Sequence, residues 1–181
     1  MATMFLGQNS VSVAVEFGGT DLGEIFGGVK VHFDRAVFKT KADSTGDTPR
    51  SEIVMGSNAS AACALTEVQL DSLAAVSIGS LNTGETRLAL SHEVGRDLLD
   101  DADELIVKPI IDGIVSTDPE DWICIPKAVP LVNFDVELKL GTQNAWGVTF
   151  EGHPVLAEDI ASGGNLDGKG YAVGDMIVFG D

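Results

Sequence analysis

Positive charge is scarce in this chain. Lysine and arginine number 11 among 181 residues, against 28 aspartates and glutamates, giving a formal net charge of −17. Nucleic-acid binding through phosphate contacts needs clustered cations to displace counterions, and these few are scattered, so that class is excluded. Aromatic residues make up only 6 %, with two tryptophans and one tyrosine. A carbohydrate-binding groove paved with exposed rings is therefore poorly supplied. The two cysteines, Cys63 and Cys124, form no CxxC pair and have no histidine at zinc spacing. Each stands in a strand-like run, where a buried free thiol is the expected state. No run approaches the ~20 apolar residues of a membrane-spanning helix. Met1 to Ser10 has neither a basic n-region nor a long apolar h-region, so a soluble protein made in the cytoplasm is expected.

Catalytic motifs are missing as well. His92-Glu93 is followed by Val94-Gly95-Arg96, without the second histidine of a zincin. Nucleophile elbows, Walker loops and dinucleotide fingerprints do not occur. Gly163, Gly164, Gly168 and Gly170 lack phosphate-cradling spacing and read as a surface loop over residues 162–170. The acidic run containing Asp100, Asp101 and Asp103 lacks the ligand alternation of a calcium loop and reads as a solvated face. No enzyme activity, cofactor or metal is expected.

What the chain does contain is glycine, 21 residues of it, and short stretches alternating with period two. Val11, Val13, Val15 and Phe17 make one such stretch, and Val29, Val31 and Phe33 another, continued by Ala36 to Thr40. Ile53 to Met55 and Ala59 to Leu65 follow, then Thr86 to Ser91, Leu105 to Val107 with Ile110-Ile111, and Trp122 to Pro126. Val132 to Leu140 alternates most cleanly, with Trp146, Val148 and Phe150 as its hairpin partner, and Tyr171 to Phe179 closes the chain. Pro109 suits an edge or bulge better than a central strand. Residues 41–51 are polar, with Gly46 and Pro49, and read as a long loop. One helix is expected over Thr66 to Ser77, with Thr66 and Gln69 as a capping box, Leu70, Leu73, Ala74 and Ser77 as its stripe and Gly79 beyond its end. Many short strands and one helix predict a single all-β domain, two packed antiparallel sheets forming a sandwich or barrel with the helix on its flank.

The order of these pieces resembles the tail tube proteins of long-tailed bacteriophages and the tubes of contractile injection systems. The resemblance is carried by Gly27 to Phe33, Lys41-Ala42-Asp43, Gly46-Asp47-Thr48-Pro49, the strand-then-helix order of Ala59 to Ser77, Asp100 to Pro109, Ile125 to Pro130 and Trp146 to Pro154. It implies a virion structural protein that assembles with itself into hexameric rings, stacked as a tail tube with other tail proteins. Viral DNA would pass through the lumen without specific binding, and no membrane would be involved. A surplus of negative charge repels phosphates and suits such a conduit. By the same resemblance residues 41–51 would reach neighbouring subunits, with Lys41, Asp43, Asp47, Pro49 and Arg50 as contact candidates and residues 1–10 as a second arm. The alternatives are another tube-fold component (tail completion, baseplate hub or secretion tube) and a monomeric β-sandwich binding module.

Overall fold

The computed structural model describes residues 12–41, 48–66, 69–77, 80–81, 87–89, 94–132 and 145–180. The strands are β1 (Ser12–Phe17), β2 (Thr20–Asp21), β3 (Ile25–Lys41), β4 (Pro49–Leu65), β5 (Ser80–Leu81), β6 (Leu88–Ala89), β7 (Asp103–Ile111), β8 (Ile114–Val115), β9 (Ile123–Val132), β10 (Trp146–Gly152) and β11 (Val178–Phe179), with one helix, α1 (Leu70–Ser77). The all-β expectation with a single helix holds. The strands pair into one nine-stranded antiparallel sheet, whose main path runs β2-β1-β7-β9-β10-β4-β3 with β8 beside β7 and β11 beside β9, and β5 pairs with β6 apart from it. Strands β1 and β3, far apart in that order, pack against each other, so the sheet curls until its two halves enclose the core.

That core is built by alternation. Val15 and Phe17 of β1, Ala61, Cys63 and Leu65 of β4, Leu105 and Val107 of β7, Ile125 and Ala128 of β9, and Val148 and Phe150 of β10 all point inward. The rings of Phe17 and Phe150 meet across the interior with centroids 5.3 Å apart. Where β10 crosses between β4 and β9, Gly152 stands opposite Ala59 and Ala128. A Cβ there would lie 2.8 Å from Ala59 Cβ and 2.9 Å from Ile125 Cγ2. Gly152→Ala is therefore expected to cost about 1–3 kcal/mol through overpacking, measured by urea unfolding, whereas Gly147→Ala in the same strand, with open space around it, should change little.

Several local expectations shift. The helix begins at Leu70, and its first backbone bond runs from Leu73 N–H to Gln69 O. Thr66 does not cap it, because both its backbone N–H and its hydroxyl donate to Glu24 O, fastening the end of β4 to the β2–β3 connection. The buried helix face is Ser72 and Val76, with Leu73 and Ala75 beside it, while Leu70 is exposed. Ser72 can be buried because its hydroxyl donates to Asp21 O at 2.8 Å. Gly79 lies outside the described residues.

Pro109 does sit in a strand with neighbours on both sides, but beyond the reach of β9, whose pairing with β7 ends at Val107. Its carbonyl accepts from Ser116 N–H, so the position of its missing N–H faces that side and β1 loses no bond. Of Tyr171 to Phe179 only Val178–Phe179 is strand, paired with β9, and the preceding residues form turns. Residues 133–140 lie outside the described residues, and β10 instead pairs with β9 from Val132 to Ala128.

Candidate assembly surface

Strand β10 covers β4 only from Ala59 to Leu65. Below that point β4 continues to Pro49 paired, among the described residues, with β3 alone, from Asp34↔Asn58 to Lys41↔Pro49. At the usual rise this two-stranded ribbon extends about 30 Å beyond the sheet. Isolated ribbons of this kind are marginal in water. The predicted loop is therefore much shorter than residues 41–51: Lys41 closes β3, and Pro49, Arg50 and Ser51 open β4. Of the candidate contact residues, Lys41 faces Pro49 across the ribbon, Arg50 follows as an irregularity in the register, and Asp43 and Asp47 lie outside the described residues.

Each face of the ribbon carries one apolar pair among polar residues. Directly opposed residues share a face, so Val37 pairs with Val54 on the face continuing the core side, and Phe38 pairs with Ile53 on the other. Met55 occupies a bulge opposite the Ala36–Val37 step. Phe38 is 54 % exposed, Ile53 51 %, Val54 56 % and Met55 69 %, with Phe33 and Val37 both at 42 %. Clustered exposed apolar side chains are a common mark of an interaction site. Among the described residues no further strand pairs with the edge of β3 or with β4 below Ala59, which leaves a template for another strand. Lys39 and Glu52 bridge the ribbon at 3.0 Å, and Arg35 lies over the Phe33 ring at 5.3 Å.

Most lysines elsewhere are committed to carboxylates. Lys108 Nζ reaches Glu16 Oε2 at 2.6 Å and stands 4.4 Å from the centre of the Trp122 ring. Lys169 meets Glu104 at 2.8 Å, and the Tyr171 hydroxyl donates to the same carboxylate. Burial first, and then that hydrogen bond, push the Tyr171 phenol well above its ordinary range, so it remains a donor. The acidic stretch is thus engaged rather than merely solvated: Asp97 caps the turn at Leu98–Asp101, Asp101 takes a bidentate bond from Arg96, and Asp103 accepts from Glu104 N–H. Among the described residues no three His, Cys, Asp or Glu side chains stand close enough to hold a metal ion. Cys63 and Cys124 are buried free thiols, and burial raises Cys63 to about 11, leaving it inert as a nucleophile at neutral pH.

The segment after β10 is held down by a part-buried ion pair. Lys127 Nζ reaches both Asp159 oxygens at 2.8 and 2.9 Å, and Asp159 also accepts from Leu156 N–H at 2.7 Å. Burial raises the Asp159 pKa, but the Lys127 hydrogen bond and charge, with the Leu156 amide, outweigh it, and the net shift is downward from 3.8. The stabilisation is therefore full above the unfolded carboxyl's pKa and is lost as pH falls through the lower folded value. Urea midpoints of wild type and Asp159→Asn should differ most at pH values above about 5 and converge as the pH drops below about 4. A constant difference across that range would contradict the assignment.

Fold and surface together define an all-β protein with one flanking helix and a projecting apolar ribbon. No family model matches the sequence, and no curated protein matches it. Among solved structures the chain is similar to one in the PVC sheath–tube complex of an extracellular contractile injection system in its extended state. That match has 11 % identity and a TM-score of 0.44, covering 86 % of this chain and 93 % of the other. It is also similar to a chain of the anti-feeding prophage tube-terminating cap, at 8 % identity and a TM-score of 0.43, covering 84 % and 90 %.

Proposed function

We propose that this chain is a non-enzymatic structural subunit that assembles with copies of itself into hexameric rings, stacked as a tail tube through which viral DNA passes. The observation that carries this reading is the β3–β4 ribbon, which exposes an apolar pair on each face and has no further strand along either edge among the described residues. In a monomer such a ribbon loses apolar surface to water and leaves strand edges bare, and a neighbouring subunit removes both penalties. Two features fit a conduit. The net charge of −17 repels a polyanion. Lys39, Lys108, Lys127 and Lys169 are each neutralised by a carboxylate within 3.0 Å, so they present no cluster for phosphate. A ring-binding groove for sugars finds less support, since Trp122 is covered by Lys108 and Tyr171 is tied to Glu104. Negative-stain microscopy of the purified protein at high concentration tests the reading. Rings or tubes with a central hole are expected, and a field of unassociated monomers would overturn it.

A further inference from the structure

The lane that β10 occupies above Gly152 is taken up, lower down, by the C-terminal residues, which pair with β9 through Val178↔Cys124 and Phe179↔Ile123 but not with the facing edge of β4 below Ala59. Between the two lies an open groove of about 320 Å³. Phe33, Arg35 and Ser57 form one wall, and Gly174 to Ile177 with Phe179 form the other. The groove's lining is mixed, with apolar side chains beside Ser57, the cation Arg35 and the acid Asp175. Arg35 makes no ion pair with a carboxylate among the described residues, although acids outnumber bases by 28 to 11 in the chain. Asp175 also lines the groove, but its carboxylate accepts from Ala172 N–H at 2.8 Å.

The same chain carries a plug of matching character. Strands β7 and β8 are joined by the two-residue turn Asp112-Gly113, both at positive φ (53° and 81°), which makes the narrow hairpin end that right-twisted strands prefer. Its side chains are Ile111, Ile114 and Val115, with Ile114 72 % exposed, and its only charge is Asp112. We infer that the Ile111–Val115 tip of one copy docks in the Phe33–Phe179 groove of the next, with Asp112 pairing to Arg35. The inference rests on the assembly reading above and names the partner surface within it. Plug and groove are different patches, so the contact is heterologous, the kind that closes into rings when successive rotations return to the start. Charge complementarity sets the register, and the apolar side chains supply the contact area.

A charge-swap experiment on the full chain tests this, read by sedimentation velocity and microscopy with circular dichroism confirming the fold. Arg35→Glu and Asp112→Arg, each alone, should weaken assembly by roughly tenfold or more, and the double variant should recover most of it. As a second measurement, Ser57→Cys and Ile114→Cys proteins, both lacking Cys63 and Cys124 through serine substitutions, should cross-link to each other when mixed under mild oxidation. Single variants that assemble like wild type, or folded proteins that neither recover in the double variant nor cross-link, would overturn the docking while leaving ribbon-driven assembly intact. A wild type that stays monomeric would overturn both.

Discussion

Glutamate in place of Phe38 or Ile53 should leave a folded monomer that no longer assembles. The two side chains face each other on one side of the ribbon and are about half exposed in the isolated chain. Substitution at such positions usually changes monomer stability by less than about 0.5 kcal/mol, with up to about 1 kcal/mol more for a lost cross-strand pair. In an assembled interface the same residues would be buried anchors. Truncating such an anchor costs about 2–4 kcal/mol, and a buried carboxylate would cost at least that. The association constant should therefore fall by roughly 30- to 1,000-fold, while the urea midpoint stays near the wild-type value. Sedimentation at matched concentrations and chemical unfolding together check both halves. Equal assembly by the Phe38→Glu protein would show that this face of the ribbon touches nothing.

Phe150→Ala should have the opposite signature, a large loss of stability in the monomer itself. Phe150 is 1 % exposed and packs against Phe17 at the centre of the curled sheet. Emptying that volume costs about 3–5 kcal/mol, a large share of the 5–15 kcal/mol that holds a typical domain together. For a chain of this length the melting temperature should drop by about 6–20 °C. Phe150→Leu, which keeps much of the volume, should recover part of that loss. A calorimetric change below about 1 kcal/mol for the alanine variant would mean that the two halves of the sheet do not share the core described above.

Much of the fold was legible because burial writes a period-two pattern. Val15 and Phe17, the odd-numbered residues from Ala59 to Leu65, and Val148 with Phe150 alternate in sequence, and they are the residues buried in the structure. Only the end of the ribbon inside the predicted loop, Lys41 and Pro49 to Ser51, escaped the same reading, for a physical reason. Among the described residues only β3 pairs with Pro49 to Asn58, and nearly all of these residues are exposed, so polar residues such as Lys41, Arg50 and Ser51 are tolerated and this end imitates a loop. The helix register failed by one position because Ser72, polar in sequence, is buried through its bond to Asp21 O while Leu70 remains in water. The single curled sheet was not legible either, since strand order depends on pairings between residues as distant as Phe17 and Leu105. Of the contact candidates, Lys41, Pro49 and Arg50 do stand at the far end of the ribbon. The apolar pairs Val37–Val54 and Phe38–Ile53 were visible as residues, but only the register shows that they lie opposite each other, on a ribbon where they stay exposed.

The central claim is that the chain exists to associate with itself. Sedimentation velocity of the wild-type protein across a wide concentration series tests it most directly. The account predicts that monomer gives way to a discrete closed particle, and then to larger stacks, as concentration rises. Monomer alone at every concentration would contradict it.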